Sequence, residues 1–268
     1  MGAPAFYTQA DLDVFDSSPL TAGPWGPHAQ HAGPPSALLA RQIERYQPRS
    51  GHRLARVTVD ILTPVPIAPL RITVESIRQS RRVELLQATA CAAERTVLIA
   101  RAWRVATVAA ELPALFSPDQ FSPDHEMREV SGMEATAGDA AFPEGWHRDG
   151  YLSAIDWRFE RGGFAEFGPA RGWARSRAAL VDGEPMTPWQ RVLVVADSGS
   201  GISVCAPPSE HPAINCDVSV VLNRDPVGEW IGLDSRTTAV SGGGAMTQTT
   251  VFDQTGTAGL ATQTLVVS

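Results

Sequence analysis

The alternation of apolar and polar positions predicts two halves that share one order of elements. In the first half it indicates a strand near residues 5–15 and a helix over residues 35–46, where Leu39, Ile43 and Tyr46 recur at the spacing of one helical face. Proline is tolerated in a first helical turn, so the sequence permits this helix start. Four strands of an antiparallel set are predicted next, at residues 54–61, 70–77, 83–91 and 97–105.

Residues 113–150 interrupt this pattern with two Phe-Ser-Pro motifs, an acidic stretch and scattered glycines. We interpret them as a linker, because loops of this length are uncommon inside a domain. The order of elements then recurs, with strands at 155–159 and 170–179 and a helix that runs from Thr187-Pro188 through Ala196. Thr187 is the candidate N-cap and Pro188 the first helical residue. Four more strands are predicted, at residues 214–222, 230–237, 245–252 and 259–267.

The two halves also agree in spacing, which indicates an internal duplication. Leu62 matches Leu222 at an offset of 160 residues, and residues 99–102 match residues 260–263 at an offset of 161. Each half is one helix plus an antiparallel sheet whose apolar face needs cover, and two such sheets can join edge to edge. We therefore predict an α+β fold, a double hotdog with an N-terminal unit (1–112), a linker (113–149) and a C-terminal unit (150–268).

Composition narrows the class of protein. The 268 residues are 43% hydrophobic, and the net charge of −7 argues against a nucleic-acid backbone as the main partner. No stretch approaches the roughly 20 apolar residues of a membrane span, and the first residues lack the pattern of a secretory signal. We therefore expect a cytoplasmic protein with no membrane span.

All 22 basic residues are arginine, which excludes a Schiff-base lysine and the lysine of a phosphate-binding loop. The three cysteines (91, 205 and 216) form no CxxC pair, so they are expected to be small core residues in a reducing compartment. His28 and His31 lie in a loop rich in proline and glycine rather than on one face of a helix. No metal site and no cofactor are predicted.

Several short motifs have a pattern in common with one known family. They are GPW at 23–25, QHAGPP at 30–35, DILTPVP at 60–66, RRVEL at 81–85 and ARAWRV at 100–105 in the first half, and VAD at 195–197, INCD at 214–217 and ATQ at 261–263 in the second. With these motifs the chain resembles the double-hotdog acyl-CoA thioesterases, in particular the acyl-CoA thioesterase II type. The resemblance covers nearly all of the chain outside the linker.

The resemblance implies hydrolysis of fatty acyl-CoA to free fatty acid and CoA, in a homodimer or a larger homo-oligomer. It also implies a catalytic trio on the second half, which falls on Asp197 at the end of the helix, Asn215 on the next strand and Gln263 on the last strand. The family more often has threonine or serine at the position of Asn215, although a carboxamide can also hydrogen-bond a water.

The same residues can be interpreted without the resemblance. One interpretation of Asp197 is a residue that simply ends the helix. Against it, a carboxylate at a helix C-terminus costs roughly 0.3–1 kcal/mol in the field of the helix dipole, and this cost needs a compensating reason. Gln263 shares an apolar strand face with Ala261 and Leu265, so its amide needs hydrogen-bond partners there. The partner is either the water that attacks the substrate or the backbone. Strand alternation turns Asn215 away from the helix unless a bulge redirects it, and a turn residue at the strand entry is the alternative.

A thioester is electrophilic enough to be attacked by an activated water. We expect Asp197 to activate this water while Gln263 and Asn215 orient it. Backbone N–H groups at a helix N-terminus would stabilise the oxyanion, with Gly33 at the close approach. His31 would position the loop or the substrate, unless it is an ordinary loop histidine.

The first-half positions that match Asp197 and Gln263 are near Glu44 and at Ala102, so one site per chain is expected. The rival function is a non-catalytic acyl-CoA or lipid-binding protein. Hydration of an enoyl-CoA is less favoured, because the second helix does not begin with an Asp/His pair.

Overall fold

The computed structural model describes residues 4–107, 140–208 and 210–267. The first half contains β1 (Ala5–Gln9), β2 (Val14–Ser17), a 3₁₀ turn (Pro19–Thr21), α1 (Gly33–Arg45), β3 (His52–Ile61), β4 (Leu70–Gln79), β5 (Val83–Ala92) and β6 (Arg95–Ala106). The second half contains α2 (Tyr151–Ala154), β7 (Ile155–Arg161), β8 (Ala170–Ser176), β9 (Ala179–Val181), α3 (Pro188–Ala196), α4 (Gly199–Ile202), β10 (Ala213–Asn215), β11 (Asp217–Leu222), β12 (Ile231–Ala239), β13 (Gly244–Asp253) and β14 (Gly256–Val267). Residues 113–139 of the predicted linker lie outside the described residues, so that part of the prediction stays open.

The strands of the described ranges form one sheet, in the order β7-β8-β12-β13-β14-β11-β3-β6-β5-β4-β2-β1-β9, with β10 beside β14. The two halves meet at β3 and β11, which pair antiparallel. Thr58 lies opposite Ser219 at this seam, and their hydroxyl oxygens are 2.7 Å apart. These two residues are 161 positions apart in the chain, as the spacing of the duplication predicts. The predicted double hotdog is confirmed.

The sheet wraps around two central helices. Helix α1 packs against β3 to β6, and α3 packs against β8 and β11 to β13. Strand β5 alternates half-buried and buried positions along its whole length, which is the pattern expected of a strand with one face on the core. The buried residues Leu38, Leu39 and Ile43 of α1 and Val192 and Leu193 of α3 fill the interior.

The two helices run antiparallel, because each end of α1 meets the opposite end of α3. At one junction Glu44 accepts hydrogen bonds from Thr187 Oγ1 at 2.9 Å and from Gln190 Nε2 at 2.7 Å. Thr187 and Gln190 also form a capping box, so the predicted N-cap of the second helix is confirmed. The other junction brings Gly33 of α1 against Val194 of α3.

Three predicted elements differ from the structure in their ends or their pairing, besides the strand predicted at 214–222 that is described below. The strand predicted at 5–15 is a hairpin, because Asp11 turns the chain between β1 and β2 and its carboxylate accepts the Leu12 N–H. The strand predicted at 170–179 stops at Ser176, and the separate strand β9 pairs parallel with β1 at the far edge of the first half. The first helix begins two residues earlier than predicted, with both Pro34 and Pro35 in its first turn.

None of the helices in the described ranges is both long enough and apolar enough to span a membrane.

Candidate active site

The strand predicted at 214–222 is broken at Cys216, and this break positions Asn215. Strand β10 pairs only with β14, whereas β11 pairs with both β14 and β3. Between them, the Cys216 N–H donates to Thr264 O and its carbonyl accepts the Ile61 N–H. In an unbroken strand, alternation would turn Asn215 away from the helix. Because the strand is broken at Cys216, the Asn215 side chain instead faces the helix end, and its Nδ2 donates to Asp197 Oδ1 at 2.7 Å. The first half has a register shift at the corresponding place in β3, between Leu54 and Arg56.

Asp197 is the C-cap of α3 and only 6% exposed. Besides the Asn215 hydrogen bond, it accepts from Gln263 Nε2, at 2.9 Å on the backbone carbonyl and at 3.4 Å on Oδ1. The other end of the Gln263 amide, Oε1, accepts the Ser200 N–H at 2.9 Å. The structure therefore brings Asp197, Asn215 and Gln263 together. Their amide donors point to Asp197 itself, and Gln263 holds the turn between α3 and α4.

His31 approaches Asp197 from the first half. Its Nδ1 lies 3.3 Å from Asp197 Oδ2, and its ring stacks on Tyr151 with centroids 3.7 Å apart. The side chain is 11% exposed, so His31 is not a surface histidine. Burial lowers the pKa of His31 below its usual value, against the raising effect of the Asp197 carboxylate. The imidazole is therefore neutral near pH 7.

Gly33 makes the close backbone approach that its sequence position predicts, but the backbone it approaches is that of α3. A Cβ on Gly33 would lie 2.1 Å from Val194 O. Its N–H donates to His31 Nδ1 at 3.1 Å, while Pro34 and Pro35 have no N–H and the Ser36 N–H donates to Ala32 O. The predicted Gly33 donor for an oxyanion is therefore occupied by His31 in this structure.

The antiparallel helices explain why a carboxylate is tolerated at the C-terminus of α3. The N-terminus of α1, with its positive end of the helix dipole, lies at the same junction, next to Asp197. The N-terminus of α1, in the other half of the chain, thus compensates the cost of placing the Asp197 carboxylate at the C-terminus of α3.

A cavity of about 470 Å³ opens in front of this junction. Its polar end is lined by His31, Asp197, Ser198, Ser200 and Asn215, whereas Gln263 lies behind the wall. Its other walls are mainly apolar and include Trp25, Val65, Trp146, Leu152, Phe164 and Ile214. The cavity thus combines residues from both halves.

Sequence reasoning missed two contributors to this site. Trp146 lies in the predicted linker, yet it contacts Trp25 and Phe164 with ring centroids 5.8 Å away in each case. A tryptophan in an otherwise polar segment was the available signal. Tyr151 gave no such signal, because its contact with His31 joins residues 120 positions apart.

Within residues 4–107, 140–208 and 210–267, no group of three or more His, Cys, Asp or Glu side chains could hold a metal ion.

Comparisons with known proteins relate both halves to one family. Residues 21–105 match the family model described as the acyl-CoA thioesterase N-terminal domain, and residues 133–267 match the acyl-CoA thioesterase C-terminal domain. Among curated protein sequences, none matches the chain.

Solved structures agree with the fold over almost the whole chain. A hot dog fold protein of unknown function from Alicyclobacillus acidocaldarius superimposes with a TM-score of 0.72 at 17% identity, covering 98% of this chain and 96% of its own. For the tesB protein of Mycobacterium avium subspecies paratuberculosis the values are 0.64, 16%, 98% and 96%. For an acyl-CoA thioesterase II from Mycobacterium marinum they are 0.61, 14%, 98% and 95%.

Proposed function

The chain belongs to the acyl-CoA thioesterases, and from this premise we propose that Asp197 is the base that activates water for thioester hydrolysis. The reaction of the family converts acyl-CoA and water into a carboxylic acid and CoA. The proposal rests above all on one observation, the buried Asp197 carboxylate at the polar end of an otherwise apolar cavity.

The two oxygens of Asp197 have different surroundings. Asn215 and Gln263 donate to Oδ1, whereas Oδ2 faces His31 Nδ1. The amide donors fix the carboxylate plane, and Oδ2 is the oxygen assigned to the water. In this proposal Asn215 and Gln263 orient the water through Asp197, and Asn215, which also lines the cavity, contacts it directly.

The proposed reaction needs no covalent intermediate with the protein. As the water oxygen bonds to the thioester carbonyl carbon, one O–H bond breaks and Asp197 takes the proton. When the tetrahedral intermediate collapses, the C–S bond breaks and the CoA thiolate receives that proton. The positive end of α1 favours the oxyanion, since His31 and Ala32 at this helix end line the cavity.

The apolar walls are assigned to the acyl group. Trp25, Trp146 and Phe164 form a continuous aromatic surface on one side of the cavity. A hydrocarbon chain placed there would leave water at about 0.8 kcal/mol per buried CH₂ group, which favours fatty acyl-CoA as the substrate.

The test is release of free thiol from a panel of acyl-CoA chain lengths by the wild type and by Asp197→Asn, which keeps the size and removes the base. We expect kcat to fall by about 10²- to 10⁴-fold while acyl-CoA binding is kept. Asp156→Asn is the matched control, because Asp156 is a half-buried carboxylate paired with Arg175 away from the cavity, and it should keep its activity.

The alternative functions predict different results. Saturable binding of acyl-CoA by the wild type without thiol release at any chain length would favour the non-catalytic binding protein. Full activity in Asp197→Asn would remove Asp197 from its role and leave the family's reaction to another group.

We also propose a homo-oligomer, a cytoplasmic location and a domain boundary in residues 113–149. The family resemblance supports the oligomer, and light scattering of the purified protein tests it. The three cysteines (91, 205 and 216) are half-buried or exposed, so the prediction of core residues was wrong. They are unpaired, which is consistent with a reducing compartment, and fractionation of the source cells tests the location. Limited proteolysis tests the boundary, since cleavage should fall within the linker.

A further inference from the structure

Tyr151 is fully buried at the start of α2. Its hydroxyl lies at the junction of α1 and α3 that contains Gly33 and Val194, between Val194 O and Ser198 Oγ. It donates to Val194 O at 2.9 Å, and its oxygen lies 2.8 Å from Ser198 Oγ. The Tyr151 ring also stacks on His31 with only 5° between the two planes. Tyr151 therefore contacts both the backbone next to Asp197 and the imidazole that faces it.

The donors and acceptors of this cluster follow in one way when each of its contacts is treated as a hydrogen bond. A carbonyl oxygen only accepts, so the single hydroxyl proton of Tyr151 goes to Val194 O. The bond between the two hydroxyls must then use the Ser198 proton. Ser198 Oγ is left as the acceptor for His31 Nε2, which lies 3.5 Å away, so Nε2 carries the ring proton.

The other side of the imidazole leads to the same assignment. The Gly33 N–H can only donate, and it points at His31 Nδ1 from 3.1 Å. Nδ1 must therefore present a lone pair. Two independent contacts thus select the neutral tautomer of His31 that is protonated on Nε2.

We propose that Tyr151 and Ser198 are positioning residues that hold His31 in the Nε2-protonated tautomer, in which the Nδ1 lone pair accepts the Gly33 N–H and no ring proton is donated to Asp197 Oδ2. Two acceptors then face each other across 3.3 Å with no proton between them. This inference rests on the proposed function: with no hydrogen bond from His31, Asp197 Oδ2 keeps its proton affinity, takes the proton of the water and holds it until the C–S bond breaks and the thiolate receives it.

The opposite tautomer would weaken the base. A proton already on Nδ1 would donate to Asp197 Oδ2, stabilise the carboxylate and lower its proton affinity. Ser198→Ala removes the acceptor of Nε2–H, and Tyr151→Phe lets the Ser198 hydroxyl donate to Nε2 instead. Both changes therefore favour the Nδ1-protonated form.

The experiment is NMR of protein labelled with ¹⁵N-histidine, because the two ring nitrogens of each tautomer have distinct shifts. The His31 signals are assigned by their absence in His31→Gln. We expect Nε2–H in the wild type and a shift toward Nδ1–H in Ser198→Ala and Tyr151→Phe. In both variants kcat for thiol release should fall about tenfold with KM almost unchanged.

Ser235→Ala is the matched control, because Ser235 is a fully buried serine whose hydroxyl bonds another hydroxyl, that of Thr249. It should leave the His31 signals and kcat unchanged. Wild-type His31 protonated on Nδ1, or unchanged His31 signals in Ser198→Ala, would overturn the proposal. The NMR result does not depend on turnover, so the predicted tautomer in a protein that releases no thiol would refute only the proposed function.

Discussion

Asn215 reaches the Asp197 carboxylate through its amide nitrogen. Its Nδ2 donates to Asp197 Oδ1 at 2.7 Å and to Asp217 O at 3.2 Å. A threonine or serine hydroxyl, which the family more often has at this position, can also donate one hydrogen bond. The Asn215 amide can therefore take the place of that hydroxyl as the donor.

We predict that Asn215→Thr keeps most of the activity, whereas Asn215→Leu, similar in size but without a donor, lowers kcat by about 10- to 100-fold. Removal of the donor leaves one Asp197 oxygen with only the long Gln263 contact. Thiol release under saturating acyl-CoA is the measurement. Equal kcat values for the two variants would show that the donor to Oδ1 does not matter.

At the residue scale the sequence singled out Asp197 and Gln263, because a charge at a helix end and an amide on an apolar strand face both need an explanation. The structure brings the two residues together, and their catalytic role stays a prediction. It left the orientation of Asn215 open, because the break at Cys216 arises from pairing with a distant strand. The use of the Gly33 N–H by His31 could not be foreseen either, since no residue pattern encodes the orientation of a loop histidine.

The contact between α1 and α3 depends on Gly33. The space there is occupied by Val194 O, so even a methyl group forces the two helices apart. We predict that Gly33→Ala destabilises the protein by about 1–3 kcal/mol, measured by urea unfolding.

Gly244→Ala is the control for this prediction, because its added Cβ would meet only Val240 Cγ2 at an ordinary 3.7 Å. It should change the free energy of unfolding by less than about 1 kcal/mol. Equal effects of the two substitutions would contradict the tight contact between the helices.

The turn between β13 and β14 contains a buried carboxylate that makes stability depend on pH. Burial alone would raise the pKa of Asp253, but hydrogen bonds from Arg224, Thr255 and the Val227 N–H outweigh it and lower the pKa to about 2. Because the folded-state pKa is below the unfolded value of about 3.9, the ionised group stabilises the fold above that value, and this is lost as pH falls toward 2.

We therefore compare the free energy of unfolding of the wild type with that of Asp253→Asn. The difference, wild type minus variant, should be about 2 kcal/mol larger at pH 6 than at pH 2. Urea unfolding of both proteins across this range is the measurement. Asp13→Asn is the control, since Asp13 forms an exposed pair with Arg71 and such pairs contribute little to stability. A constant gap between wild type and Asp253→Asn would contradict the lowered pKa.

Element type followed from the sequence more faithfully than element ends. Period-2 alternation identified β4, β5 and β14, since each has one face on the core. The hairpin of β1 and β2 was hidden because its strands are short and join through a tight turn at Asp11. The separate strand β9 was hidden because it is short and pairs with a strand far away in the chain.

For the whole molecule, the seam between β3 and β11 decides whether the halves unfold together. Val57 and Val220 lie opposite each other there, and both are fully buried. The pairing of β9 with β1 joins the halves a second time. We predict one cooperative thermal transition, whose midpoint falls in both Val57→Ala and Val220→Ala, each costing about 2 kcal/mol.

Calorimetry is the measurement, with the calorimetric and van't Hoff enthalpies expected to agree. Val240→Ala serves as the control, because Val240 is 66% exposed in the turn after β12. Two transitions, of which each substitution shifts only one, would show that the halves are independent units.

The duplication was readable in the sequence, but its asymmetry needed the structure. At one helix junction Asp197 faces a cavity, whereas at the other Glu44 is bonded by Thr187 and Gln190, and burial raises its pKa. Ala102 stands where the second half has Gln263, so the junction at Glu44 lacks an amide from the corresponding strand.

That asymmetry has a consequence for genetics. The site joins His31 of one half to Asp197 of the other, but within a single chain. In an assembly of unfused halves, a subunit damaged at one position and a subunit damaged at the other can together rebuild an intact pocket. Under the proposed function, two alleles altered at His31 and at Asp197 each spoil their own pocket, so we expect that they do not complement each other.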